Sequence, residues 1–167
     1  MTIAAAPFGE RPFGWLPALA PVVAPMGVHE AVYRELVAAV EAAKTAWVGP
    51  PSPLVVTYEN RTLVDLAAQV DSYLCADVHF LDGEQDSLGG SVVDVIEYGQ
   101  LHLVAHTRKD AGTLKGRQIL DHFRPFVELK SFIICRTMAA RGHATYDRPG
   151  WHCIPLVVPF RFHRLAT

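Results

Sequence analysis

Gly99-Gln100-Leu101-His102-Leu103-Val104-Ala105-His106, followed by the polar break Thr107-Arg108-Lys109-Asp110 and then by Ile119, Leu120, Phe123 and Val127, is the stretch that decides the fold. Up to His106 the texture has period two: Gln100, His102, Val104 and His106 alternate with Leu101, Leu103 and Ala105, as on a half-buried strand. Beyond the break the period changes to three or four, with Lys115, Gln118 and His122 opposite the apolar stripe, which is the pattern of an amphipathic helix. Asp110 is expected to cap that helix and Pro125 to end it. A strand that feeds a helix through a short loop lays the helix across the sheet, and the other elements can be placed against this unit.

Upstream, Tyr73 to Leu81 alternates in the same way, and the acidic, glycine-rich run from Asp82 to Gly90 separates it from the strand at Val92 to Thr107, so the two are expected to form a long hairpin. Val32, Leu36, Val40, Ala43 and Trp47 recur at helical spacing within Val28 to Trp47, and the prolines from Pro50 to Pro53 separate this helix from a strand at Leu54 to Tyr58. Downstream, Phe132 to Cys135 reads as a short strand. Trp151 to His163 reads as a long one in which Pro155 and Pro159 share a parity, which assigns it to a sheet edge or a bulge. The order helix, three strands, helix, two strands predicts an α+β fold: a mixed or antiparallel sheet of about five strands with two main helices packed on one face.

Residues 1–27 contain Pro7, Pro12, Pro17, Pro21 and Pro25, which predicts an extended arm in front of a single domain at 28–167. The arm lacks the basic start of a signal peptide. Its apolar groups Phe8, Phe13, Trp15 and Leu16 are expected to pack on the body or on a neighbouring subunit.

At 167 residues and 50% hydrophobic content the chain suits one core. A net charge of −2 gives no overall basic character for nucleic-acid binding, and no uninterrupted apolar run of membrane-spanning length occurs. Cys75, Cys135 and Cys153 are far apart and lie in apolar runs, which predicts buried thiols rather than a disulfide framework or a CxxC metal site.

Eight histidines raise the question of a metal, above all His79, His102, His106 and His152, which could share a sheet face. No HExxH or HxH motif is present, and structural imidazoles with no metal are expected. Trp151-His152-Cys153 sets a histidine beside a thiol, but consecutive strand residues face opposite ways, so His152 is not expected to activate Cys153. GxSxG, Walker A and GxGxxG patterns are absent, and Asp82, Glu84 and Asp86 lack the glycine and glutamate that complete a calcium loop. The residues therefore offer no catalytic constellation and no cofactor site.

Taken in series, Tyr58-Glu59-Asn60-Arg61, Val78-His79-Phe80-Leu81-Asp82-Gly83-Glu84-Gln85, Ser87-Leu88-Gly89-Gly90, Tyr98-Gly99-Gln100-Leu101-His102-Leu103, Ala111-Gly112-Thr113, Gly150-Trp151-His152 and Val157-Val158-Pro159-Phe160 resemble the tail terminator proteins of long-tailed bacteriophages and prophages, related to the minor tail protein U of phage lambda. The resemblance covers about Pro53 to Arg164. It implies a non-enzymatic virion protein at the neck of the particle, assembled in the host cytoplasm: a hexameric ring that caps the tail tube, stops its polymerisation and joins the head. The implied partners are other copies of the chain, the tail tube protein and the head–tail connector, with DNA passing through the ring without sequence-specific contact. In such a ring Asp82, Glu84 and Asp86 are expected to line the channel, where carboxylates repel phosphates, and Phe8, Phe13, Trp15 and Leu16 to contact a neighbour. A different neck connector, a tail tube subunit, or a small metal-dependent enzyme using the strand histidines are the alternatives.

Overall fold

A computed structural model describes residues 25–58, 71–85 and 93–166. The chain runs α1 (Pro25–Thr45), β1 (Val55–Tyr58), β2 (Ser72–Gln85), β3 (Val93–Arg108), a 3-10 turn (Lys109–Ala111), α2 (Leu114–Val127), β4 (Cys135–Thr137), β5 (Arg141–Gly142), β6 (Tyr146–Arg148) and β7 (Trp151–Ala166). All seven strands belong to one sheet with the path β1-β2-β3-β7-β4, and β5 and β6 also pair with β7. Only β1–β2 is parallel among these pairs, so the sheet is mixed, and the α+β class with two helices is as expected. Four of the five predicted strands coincide with β1, β2, β3 and β7, and the fifth touches β4 only at Cys135; the two further strands are two and three residues long, too short for a periodic signature.

Strand register explains which side the helices take. Across β2, β3 and β7, Leu74, Ala105 and Ile154 form one row and Ala76, Leu103 and Leu156 the next, followed by Val78, Leu101 and Val158. Every one of these side chains is buried, and they meet Val32, Leu36 and Val40 of α1 and Ile119, Phe123 and Val127 of α2 in one core. Removing this apolar surface from water is the main stabilising term, about 25 cal/mol per Å². Gly116 brings α2 close to the sheet: a Cβ there would lie 2.7 Å from Ile154 Cδ1 and 3.1 Å from Thr107 Cγ2. His122 donates from Nε2 to the Ala43 carbonyl at 2.9 Å, which ties the two helices together.

Four local expectations change. Asp110 lies in the 3-10 turn and Thr113 holds the N-cap position of α2, without a side-chain capping bond. Pro125 sits inside the last turn, where only the Asp121 carbonyl loses a donor, and the Glu128 N–H closes the helix on Arg124 O at 2.8 Å. Phe132-Ile133-Ile134 is not a strand, because pairing begins at Cys135. The backbone N–H groups of Ile133, Ile134 and Cys135 instead donate to the Glu35 carboxylate at 3.0, 3.1 and 3.3 Å, leaving Ile133 97% exposed.

The fourth change concerns β7, which runs through the sheet and not along its rim. Its second side is shared by β6 at residues 151–153, β5 at 156–157 and β4 at 160–162. Pro155 and Pro159 stand at the two joints between these partners. Their carbonyls accept from His143 N and Met138 N on that side. A strand residue's N–H and C=O point the same way, so the missing amides also face the joints and the ladder to β3 stays whole.

Candidate functional site

The face of the sheet opposite the helices carries three of the strand histidines together with Asp77, Tyr73 and Trp151. Its rows follow from the same register: Tyr73, His106 and Cys153 form one, Asp77, His102 and Val157 another, and His79, Gln100 and Pro159 a third. Of the four histidines considered for a metal, the structure brings His79, His102 and His106 to this face and leaves His152 on the other parity, where its Nδ1 lies 2.6 Å from Asp147 Oδ1. Among the described residues no group of three or more His, Cys, Asp or Glu is placed to hold a metal ion.

His106 is the centre of the cluster. Its ring stacks on Tyr73 at 4.4 Å with the planes 2° apart, Tyr73 meets Trp151 edge-on at 5.1 Å, and the Arg108 guanidinium lies 4.5 Å above the Trp151 ring. On the other side the Cys153 sulfur is 3.3 Å from His106 Nδ1. The sequence gives no local sign of this contact, since the two residues are 47 apart and meet only through the β3–β7 register. The signal that could have found it is the parity match of Leu101, Leu103 and Ala105 to Val158, Leu156 and Ile154, which fixes the face but needs the row as well.

A histidine beside a thiol suggests a nucleophile, and electrostatics decides against it here. Burial pulls His106 down to about 4, with the Arg148 charge adding to the effect, and burial pushes the Cys153 thiol up. Both partners are therefore neutral near pH 7, and Cys153 has no exposed surface, so a thiolate–imidazolium pair does not form. Burial also raises Cys75 and Tyr73, and it pushes Cys135, which lies beside Glu35, up to about 12. All three thiols are free and have raised pKa values. Burial, with neighbouring His79 next, lowers His102, whose Nε2 is 2.9 Å from Gln100 Oε1.

Other surfaces carry exposed apolar groups. Leu129 and Ile133 project from the α2–β4 connection, Ile133 beside Glu35 of α1, and Leu81 is half exposed at the far part of β2. Leu81, Tyr98, Met138, Ala139, Arg141 and Pro159 help to line a recess of about 420 Å³ on the helix-free face. Among the described residues no helix is long and apolar enough to cross a membrane.

Several predicted residues lie outside the described part. Phe8, Phe13, Trp15, Leu16 and Asp86 fall there entirely, while Asp82 and Glu84 are placed only as backbone positions of β2.

No protein-family model matches the sequence, and no curated protein is similar to it. The fold has counterparts among solved structures. One of these, whose name is a serial identifier without a functional description, superposes with a TM-score of 0.57 at 14% identity over 82% of this chain and 94% of its own. The likeness shows a shared fold spanning nearly the whole of that protein.

Proposed function

We propose that this chain is a structural ring protein of the tail terminator type, closing a tail tube and presenting a surface for the head. The observation that carries the reading is the series of segments from Tyr58 to Phe160 that resembles that family. The surface is consistent with it: exposed apolar groups occupy several unlike places, among them Ile133 beside α1, Leu114 at the start of α2 and Leu81 on β2. A closed ring needs two different surfaces on each subunit. In such a ring Asp82 and Glu84 can face the channel or the next subunit, and the placement of the cations bears on the choice. Phe8, Phe13, Trp15 and Leu16 would strengthen one subunit boundary, each contributing up to about 1.5–3 kcal/mol if fully buried there.

Negative-stain imaging of the purified full chain, together with its addition to polymerising tail tubes, tests the reading. Closed rings and tubes of limited length are expected; a protein that stays monomeric at high concentration and leaves tube growth unchanged would defeat it. A neck connector would form rings without limiting tube length. A thiol enzyme would require rapid alkylation of Cys153 by iodoacetamide at neutral pH, and the burial that keeps both His106 and Cys153 neutral opposes that reading of their contact.

A further inference from the structure

The net charge of −2 conceals a division of charge. Residues 62–107 contain no lysine or arginine, whereas residues 108–164 contain eleven of the fifteen in the chain. The fold turns this division into two unlike edges of one sheet. β1 pairs with β2 only at Tyr73–Ala76, so from Asp77 to Gln85 β2 is the outermost described strand on its side. This part of β2 carries Asp77, Asp82 and Glu84 and no cation. The opposite edge is made by β6, β5 and β4: β4 and β5 carry Arg136 and Arg141, and β6 carries Arg148 beside Asp147, whose carboxylate is taken up by Lys109 and His152.

Register sets these groups at matching heights. Asp77, His102, Val157 and Arg141 form one row across the sheet, acid at one end and arginine at the other. Farther along, Tyr98, Arg161 and Arg136 form a row that reaches β2 at the bulge between Phe80 and Gly83, where Leu81 and Asp82 stand. Arg136 and Arg161 are direct cross-strand neighbours, both exposed, and like charges so placed repel. Among the described residues no carboxylate lies within ion-pair distance of Arg136, Arg141 or Arg161. Among the described residues the donor to Asp77 is the Cys75 thiol, at 3.5 Å. The two edges are separated by the width of three strands, roughly 15 Å at the usual strand spacing, too far for these charges to pair within one subunit.

We infer that the two edges are complementary parts of one interface, in which the acidic β2 edge of one copy meets the arginine edge of a second copy. The inference rests on the ring reading and names its subunit boundary. An acid edge at one side and an arginine edge at the other make the contact heterologous, so each copy keeps one edge of each kind for the next, which propagates around a ring. Complementary charge fixes the register of approach and excludes acid-to-acid and arginine-to-arginine pairing. Asp82 and Glu84 are then used at the boundary between subunits and not on the channel wall.

The test uses two full-chain variants. Asp77→Lys/Asp82→Lys/Glu84→Lys makes both edges basic, and Arg136→Glu/Arg141→Glu/Arg161→Glu makes both acidic. Sedimentation velocity should show each variant alone associating at least about tenfold more weakly than the unmodified chain, and an equimolar mixture regaining association. The regained association should weaken in about 0.5 M salt. Circular dichroism verifies that each variant is folded, and single reversals at Arg136 and Asp82 replace any triple variant that is not. If a folded variant alone assembles as the unmodified chain does, or if the mixture does not associate, the inference is overturned. Rings that ignore the reversals would leave the ring reading standing without this boundary. Complementary variants that build open chains, with an unmodified chain that never closes, would keep the boundary and remove the ring.

Discussion

The two faces of the sheet bury their side chains by different means, and the helix-covered face buries far more of them. On the helix-covered face Leu74, Leu101, Leu103, Val158, Phe160 and Phe162 are sealed by Ile119, Phe123 and Leu36, and stability follows from apolar area and close packing. On the opposite face His106, Cys153 and Trp151 are buried under one another and under Tyr73, by ring stacking and a guanidinium, so that titratable groups are held neutral. The first face should therefore respond to lost volume and the second to pH. The largest effect expected from this contrast is at Phe123, which is fully buried: Phe123→Ala should cost about 3–5 kcal/mol, against about 2 kcal/mol for Tyr73→Ala, whose side chain is only partly buried. Urea denaturation of both variants measures the difference, and equal losses would end the distinction between the faces.

That contrast was partly legible in the sequence. The alternation at Gln100–His106 separates the faces correctly, because period two is a local property of a strand and needs no partner. What joins the strands is not local. The His106–Cys153 contact, the use of Pro155 and Pro159 at joints between short strands, and the acid and arginine ends of shared rows all depend on register between separate segments, about which spacing along the chain is silent. Phe132-Ile133-Ile134 misleads for a related reason: its apolar texture resembles a strand, whereas Glu35, from a helix a hundred residues earlier, holds it as an exposed loop. Whole-chain net charge also averages away the difference between the two edges.

The pH response is the next largest effect. His106 is held at about 4 in the folded chain against 6.5 ordinarily, so between these values the unfolded chain binds the additional proton. Stability should be complete above about pH 6.5 and fall as the pH drops towards 4, by up to about 3 kcal/mol from this residue. His106→Phe keeps a ring against Tyr73 and removes the proton. Urea midpoints measured near pH 4.5 and near pH 7 should therefore differ less in the variant than in the unmodified chain, by roughly 2 kcal/mol of stability. An identical pH dependence would show that His106 charges without penalty.

A smaller effect tests packing at the centre of the covered face. Gly99 lies between Phe80 and Phe160 in the cross-strand register, and a Cβ there would run into the Phe160 ring and stand 2.7 Å from the His79 carbonyl oxygen. Gly99→Ala should cost about 1–3 kcal/mol through displacement of Phe160, although alanine is the better strand residue by propensity. A thermal midpoint that rises would mean that the ring moves aside freely.

The smallest effect belongs to the exposed part of the helix-free face. His79 is exposed and meets His102 edge-on at 4.7 Å, so His79→Thr removes little buried area and should leave stability within about 0.5 kcal/mol. Its consequence is electrical. His102 is lowered first by burial and next by the charge that His79 carries when protonated, while Asp77, its cross-strand partner, acts in the opposite direction. With His79 gone, burial remains but the repulsion does not, so His102 should titrate at a higher pH than in the unmodified chain while still falling short of 6.5. Following the His102 ring protons by NMR between about pH 4 and pH 8 in the unmodified chain and the variant reads this directly. An unchanged His102 midpoint would mean that solvent screens the two rings from each other, and that burial alone sets the titration of this face.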